Sequence, residues 1–528
     1  MQSFDYIIVG AGSAGSALAY RLSADPGCSV LLLEYGGIDR DPFIHIPRGF
    51  AKILLGDKLI HRYPIDHKGY EGTNEEWVRG KVLGGSSSVN GQVYMRGFAA
   101  DYDALGIPGW GWKEIGGAMK AMEDHELGEA EFRGVGGPLK VSQHPTPSAI
   151  CDAFIHGAEL LGAPRCEDLN NITDQGAGYQ PRTIYKGFRQ SAAKAFLAPI
   201  RHRKNLTIKT HSNVQKIIIE GKTAKGVHVK TRKGEQVNYF ANKEVILSAG
   251  TIATPKLLQL SGVGDESLLR SLGIDVKAHS PLVGQNLIEQ RCAMPRFRVS
   301  HGSLNRDLRP LGLIKTLSKY IALRDGPMAY SAFEVSALIK TAAQLPRANA
   351  QIGFTPVSID RHGTSITPDK EPGVLACSYI LKPKSRGHLQ ITSSDPDAPM
   401  YIQPNYLQHP DDQKDSIDLF RLTRKLFKTP PLQAYQATEM APGQQVESDE
   451  EILNYYLDMG NSALHATGTC QMGCDEKSVL DEKLQVRGIQ NLRVVDLSVF
   501  PEMISGNTNS PAMAIGWRAA DLILNKQK

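Results

Sequence analysis

The sequence predicts a mixed α/β fold in two closely joined domains, and three observations carry that prediction. The chain has 528 residues, a length at which a single compact unit would be unusual. Its first 34 residues read as strand, glycine turn, helix and strand in that order. Further on, "GHLQITSSDPDAPMYIQPNYL" (387–407) alternates in polarity and is broken by Pro396 and Pro399, as antiparallel strands joined by turns would be. No internal repeat or low-complexity stretch intervenes, so the second domain is expected to pack against the first rather than hang from a linker.

The opening stretch, "FDYIIVGAGSAGSALAYRLSADPGCSVLLLEYGG", supplies the first element. Tyr6 to Val9 form an apolar run suited to a strand buried on both faces. Gly10, Gly12 and Gly15 then make G-x-G-x-x-G, and "SALAYRLSAD" continues at helical period. A second buried strand, "SVLLLE", ends on Glu34, 19 residues after Gly15. In such a unit Gly10 permits the tight turn, Gly12 admits a pyrophosphate to the backbone, and Gly15 lets the helix pack close to the strand. Ser13 and Ala14 lie between the last two glycines, where the helix N-terminus offers free N–H groups and a positive dipole end to phosphates. Glu34 would accept hydrogen bonds from a ribose 2′-OH and repel a 2′-phosphate, which favours FAD or NAD over NADP.

Composition excludes several classes. The net charge of +5 is the small difference of 60 basic and 55 acidic residues, and it supports neither nucleic-acid binding nor membrane-surface binding. "RHRKN" (201–205) reads as solvated surface. Seven cysteines in so long a chain do not suggest a disulfide framework, and Cys470 and Cys474, spaced C-x-x-x-C, have no second pair to complete a zinc site. The N-terminus enters a strand with no leader pattern, and no stretch approaches the ~20 apolar residues that span a bilayer. A soluble, cytoplasmic protein is expected.

Later in the chain, "KEVILSAG" reads as a strand ending at Gly250, and "TPKLLQLSGVG" as a short helix stopped by glycine, together suiting one edge of an α/β sheet. "SALHATGTCQMG" (462–473) places His465 between small residues and a Gly-Thr turn. From the residues alone, His465 could be a satisfied core side chain, a metal ligand or a catalytic base.

A second glycine-serine loop lies in "GKVLGGSSSVNGQVYMRGFAADYDAL" (80–105), one that a simple nicotinamide dehydrogenase does not need. Together with "GFRQSAAKAFLAPIRHRKNLTI" (187–208), "EVILSAGTIATPKLLQLSGVG" (244–264), "LVGQNL" (282–287), "SRGHLQITSSDP" (385–396), "HATGTCQMG" (465–473) and "NLRVVDLSVFPEMISGNTNSPAMAIGWRAADLI" (491–523), it closely resembles the glucose–methanol–choline (GMC) oxidoreductase family over nearly the whole chain. The resemblance implies a Rossmann-like FAD-binding domain with an interleaved antiparallel-sheet substrate domain. The FAD domain would take 1–150, 185–290 and 466–528, and the substrate domain 151–184 and 291–465.

The resemblance also implies site residues. Gly84, Gly85 and Ser86 match the loop along the flavin and its phosphates, and Asn90 a position near the isoalloxazine, with Val93 following in the same loop. Val214 matches the residue whose backbone meets the adenine, and Ala249 and Gly250 lie where the central strand meets its helix. Asp496 begins the segment under the pyrimidine side, and Thr508 stands beside Asn507. His465 matches the base beside flavin N5. Asn507 matches the second catalytic position, and Asn509 is assigned to the loop or the flavin. Val89 stands where members with a covalent flavin link have histidine, so FAD is expected to be non-covalent.

The function implied is FAD-dependent oxidation of a primary alcohol to its aldehyde by hydride transfer, with O2, a quinone or another acceptor taking the electrons. Substrates could be aliphatic, aromatic or heteroaromatic carbinols. Choline-like alcohols are less favoured, because Leu464 precedes His465 where choline-oxidising members have an aromatic residue and neither 462–473 nor 505–511 holds a tryptophan. A hydroxynitrile-lyase-like enzyme with no net redox is the alternative, and a nicotinamide-linked domain leaves the C-terminal motifs unexplained. Glu289 and Gln290 replace the Asp-His pair of many relatives. Within "RDGPMAYSAFEVSALI" (324–339), Tyr330, Phe333 and Glu334 are candidates for substrate contact.

Overall fold

The computed structural model describes residues 2–68, 72, 74–362 and 365–524. The strand Gln2–Val9 is buried from Tyr6 onward and lies between two parallel neighbours, Val30–Leu33 and Gln236–Leu247. Leu206–Lys209 extends the sheet beyond Val30–Leu33, again in parallel. Strands covered on both faces must be apolar throughout, and "VLLL" at 30–33 is buried at every position.

Gln236–Leu247 is the long strand of this sheet and works in two halves. Its last three residues pair in parallel with Leu492–Val494, on the side away from Gln2–Val9. Its earlier part pairs antiparallel with Thr223–Thr231, which in turn pairs with Ser212–Glu220. The expected edge strand is therefore central in the seven-stranded sheet. Its second neighbour comes from near the C-terminus, and nothing in the local sequence announces that pairing. The helix that follows runs from Gly250 to Leu260, starting earlier than the "TPKLL" pattern suggested, and ends before Gly262, whose φ of +86° suits a residue without a side chain.

The C-terminal helix Asn509–Ile523 packs on the first helix, Ser13–Leu22. A Cβ at Gly516 would lie 2.1 Å from the Ala14 carbonyl oxygen, so glycine is what lets the two helices approach. Ser13 Oγ donates to Asn509 Oδ1 (2.7 Å) at one end, and Arg21 pairs with Asp521 (2.7 Å) at the other.

A second sheet of six antiparallel strands runs in the order Thr438–Ala441, Arg296–Arg298, Gly373–Ile380, Ala350–Thr355, Val335–Ile339, Gly176–Tyr179. One face packs against helices Ala149–Leu160 and Pro410–Phe427, with Phe154, Phe354 and Phe427 in the shared core. Side chains alternate between the faces of a strand. Ala350, Ile352 and Phe354 therefore enter that core, while Gln351, Gly353 and Thr355 face the cavity on the other side. The expected antiparallel ribbon forms from His388–Ile391 and Met400–Gln403, outside the six-stranded sheet and against Ile60–Lys68 and the helix Gly250–Leu260. All seven cysteines are free.

Candidate active site

Residues of both sheets line one cavity of 2440 Å³, several times the ~300–1,000 Å³ that suffices for a drug-sized ligand. At one end lie the glycine loops. Gly10 has φ +104°, and a Cβ there would sit 2.4 Å from the Ser248 carbonyl oxygen. A Cβ at Gly15 would sit 2.0 Å from the Gly10 carbonyl oxygen, so this glycine seats the helix on the turn. A Cβ at Gly12 would meet nothing within 4 Å, and Gly12 lines the cavity. Gly85 closes over the same spot, its own Cβ position 2.8 Å from Gly12 Cα. The helix Ser13–Leu22 has no side-chain cap at its N-terminus, which leaves its first N–H groups available to an anion. A dinucleotide phosphate fits this bare, donor-rich ledge.

Glu34 accepts the backbone N–H of Ala11 (3.0 Å) and of Gly36 (2.8 Å), one on each carboxylate oxygen. Burial pushes its carboxyl up to about 7, against the pull of those two N–H donors. Asp496 accepts from Gly250 N–H (2.9 Å), Thr254 Oγ1 (2.6 Å), and both the N–H and hydroxyl of Ser498 (2.9 and 2.6 Å). It thereby ties the start of one helix to the C-terminal segment. Of the expected cofactor residues, Gly10, Gly12, Ser13, Ala14, Glu34, Gly85, Ser86, Asn90, Val93, Val214, Ala249, Gly250, Asp496, Asn507 and Thr508 line the cavity. Gly15 and Gly84 stand behind the lining, where Gly84 (φ +87°) donates its N–H to the Ala11 carbonyl (2.8 Å).

The other end is built by register. The segment 288–290 runs antiparallel to 463–467, with Ala463 N–H on the Gln290 carbonyl (3.0 Å) and reciprocal 3.0 Å bonds between Ile288 and Thr467. This pairing carries the Gln290 side chain to His465, whose Nδ1 lies 2.7 Å from Gln290 Oε1. An amide oxygen only accepts, so Nδ1 bears the proton and Nε2 the lone pair. Asn507 Nδ2 lies 3.2 Å from Nε2 and donates to it. Gln351 Nε2 in turn donates to Asn507 Oδ1 (3.4 Å), and among the described residues Gln351 Oε1 is buried with no partner. Tyr379, directly across the sheet from Gln351, places its ring 5.9 Å from that of His465 and also leaves a buried hydroxyl unpartnered.

The His465 ring faces the cavity and is otherwise enclosed. Burial, with the nearby Arg79 cation, pushes its pKa down to about 3. Behind it Glu289 Oε1 accepts the backbone N–H of His465 (3.0 Å) and of Gln290 (2.9 Å). Burial raises this carboxyl to about 7, although Arg79 and the two N–H donors oppose the rise. The Glu289-Gln290 departure is thus the support of His465. Its replacement of Asp-His was visible in the sequence, but its role depended on the 288–290 pairing.

Of the three candidates for substrate contact only Phe333 lines the cavity. Glu334 turns away to pair with the buried Arg48 (2.8 Å), and Tyr330 packs on His144 (rings 4.5 Å apart). Gln351 and Tyr379 were not singled out from the sequence. Their alternation with core residues was the signal available, but alternation does not say which face looks into a cavity.

Family models described as GMC oxidoreductase match residues 4–292 and 383–516. The chain is 37% identical over 541 residues to the oxygen-dependent choline dehydrogenase of Sinorhizobium medicae (strain WSM419), covering 99% of this chain and 96% of that one. It is 36% identical over 541 residues to the mitochondrial choline dehydrogenase of Homo sapiens, covering 98% and 89%. Among solved structures, pyridoxine 4-oxidase from Mesorbium loti superposes with a TM-score of 0.88 at 28% identity, covering 99% of this chain and 100% of that one.

Proposed function

The chain belongs to the GMC oxidoreductase family, FAD-dependent enzymes acting on CH–OH groups, and on that premise we propose that it oxidises an uncharged primary alcohol to the aldehyde with His465 as base. The observation that carries the proposal is the hydrogen-bonded row Gln290, His465, Asn507, Gln351. What bound FAD supplies is an acceptor for the hydride of the carbinol carbon; the glycine loops around Gly12 and Gly85, with Glu34 and Val214, would hold it. Val89, which lines the cavity, offers no group for a covalent link.

The alcohol hydroxyl displaces the Asn507 amide from Nε2 and gives its proton to that nitrogen. Gln290, accepting the Nδ1 proton throughout, keeps the basic nitrogen turned to the cavity and steadies the imidazolium that forms. Asn507 then donates from Nδ2 to the substrate oxygen, where negative charge builds as its proton departs. The low pKa of His465 keeps it neutral at any ordinary pH but also makes it a weak base, so proton transfer to Nε2 leans on Gln290 at Nδ1 and on Asn507 at the substrate oxygen. Phe333 and Tyr379 offer apolar surface to the rest of the substrate, and Gln351 Oε1 offers an acceptor to a donor group beside the carbinol. Of the lining cations, Arg48 is paired with Glu334 and Arg296 with Asp369, and Arg79, near enough to lower the His465 pKa, is the one that disfavours a cationic alcohol beside the base. That weighs against taking choline from the names of the dehydrogenase relatives.

The test is anaerobic flavin bleaching by a panel of primary alcohols, neutral and cationic, followed by readmission of air. Neutral alcohols should bleach the flavin, and the speed of reoxidation separates O2 from another acceptor. His465→Ala should slow bleaching by ~10²-fold or more, and Asn507→Ala by ~10²-fold. Bleaching at full rate in His465→Ala removes the base; a bound flavin that no alcohol bleaches points instead to the lyase chemistry.

A further inference from the structure

The four most exposed large apolar side chains among the described residues all belong to one helix, Pro310–Leu323: Leu311 at 87%, Ile314 at 65%, and Ile321 and Leu323 at 67% each. Leu311, Ile314 and Ile321 recur at helical spacing and form one stripe, and Leu323 emerges where the helix ends. The opposite side is apolar as well. Leu313 and Leu317 pack there with Tyr320 and Met328 and, with Leu308, wall the cavity. A helix apolar on both sides is one that is covered on both sides.

The charges around the stripe say what covers it. Between 306 and 325 stand five basic residues, Arg306, Arg309, Lys315, Lys319 and Arg324, against Asp307 and Asp325. Asp325 is paired with Lys319 (3.0 Å), and the helix itself carries no acidic side chain. Beside its C-terminus the Ile184–Tyr185 and Phe188–Arg189 hairpin adds exposed Tyr185 and Phe188. Arg324 lies 4.9 Å from the Phe188 ring, Lys186 lies 5.2 Å from that of Tyr185, and Tyr320 Oη donates to the Gly187 carbonyl (2.9 Å). Aliphatic side chains in the middle, aromatic rings and long basic side chains at the margin match the boundary between acyl chains and anionic headgroups. The helix is about 21 Å long at 1.5 Å per residue, and no helix among the described residues is long and apolar enough to cross a membrane.

We propose that this face docks on an anionic lipid bilayer, with the helix lying in the surface, its stripe sunk among acyl chains and its basic margin against the phosphates. The overall charge gives no such signal because +5 is averaged over the chain, whereas the basic residues of 306–324 stand locally around one apolar stripe. Docking would also set the cavity wall formed by Leu308, Leu313 and Leu317 next to the membrane.

Flotation of the FAD-loaded full chain with phosphatidylcholine vesicles, with and without phosphatidylglycerol, tests this. The chain should float with the anionic vesicles and be released by salt. Leu311→Glu/Ile314→Glu/Ile321→Glu should abolish flotation while the flavin spectrum is retained. Arg306→Glu/Lys315→Glu, exposed changes that leave the helix packing alone, should weaken binding about fivefold per charge and carries the test if the triple variant loses its flavin. No flotation of the unaltered chain, or unchanged flotation of the charge variant, overturns the proposal. So does a dimer that the triple variant converts to monomer when neither form floats, since a second copy then covers the stripe.

Discussion

An imidazole whose Nδ1 proton is held by an amide oxygen has one nitrogen left to act, and in His465 that nitrogen faces Asn507 and the cavity. Gln290→Leu, which removes the acceptor, should leave the flavin bound and slow its reduction by alcohol roughly tenfold, the usual consequence of losing one buried hydrogen bond of 1–2 kcal/mol. An unchanged rate would show that the ring needs no such support. On the proposed mechanism Glu289 should set the pH dependence of flavin reduction. Its carboxyl titrates at about 7 behind an imidazole held down to about 3. The rate of flavin reduction should therefore rise as pH passes through 7, where the ionised carboxylate begins to favour the imidazolium, and Glu289→Gln should flatten that rise. Stability runs the other way. The folded pKa lies above the ordinary 4.5, so the folded form holds this proton over a window from about 4.5 to about 7, and the stability it confers is full below that window and is lost as pH rises through 7. A melting temperature that climbs from pH 5 to pH 8, with no change in slope in Glu289→Gln, would contradict the assignment.

Two glycines three residues apart separate cofactor binding from folding at the level of the element. Gly15 touches the Gly10 carbonyl, whereas Gly12 faces open cavity beside Gly85. Gly12→Val should thus fold with the stability of the apoprotein and purify without flavin. Gly15→Ala should lose 1–3 kcal/mol or more from the forced separation of helix and turn, seen as lower soluble yield and melting temperature. If Gly12→Val retained stoichiometric flavin, the ledge would not be the phosphate site. The fingerprint was legible from the sequence because a βαβ unit and its phosphate turn are contiguous, so spacing alone reports geometry. The strand Gln236–Leu247 was legible as a strand but not as a central one, because its neighbour Leu492–Val494 is remote in the chain.

The whole molecule closes on its C-terminus. Leu492–Val494 completes the first sheet, Asn507 completes the row of hydrogen bonds, and Asn509–Ile523 covers the first helix through Gly516. A chain ending before Leu492 should fail to accumulate as soluble flavoprotein. In the full chain, added FAD at a hundred times its Kd should stabilise the fold by ~3 kcal/mol, read as a rise in melting temperature; a soluble, flavin-loaded truncation would show that the first sheet stands without its C-terminal strand. By itself the sequence determined the mixed α/β class, the dinucleotide turn at Gly10, Gly12 and Gly15, and, through family resemblance, FAD and the candidates His465 and Asn507. These are set by short-range spacing or by ordered motifs. Only the tertiary structure decided that Gln290 holds His465, that Gln351 extends the row from Asn507, and that Phe333 faces the cavity while Tyr330 and Glu334 turn from it. Those outcomes depend on strand register and on which sheet face meets the cavity, and period-two alternation fixes the set of residues sharing a face without fixing what the face looks upon.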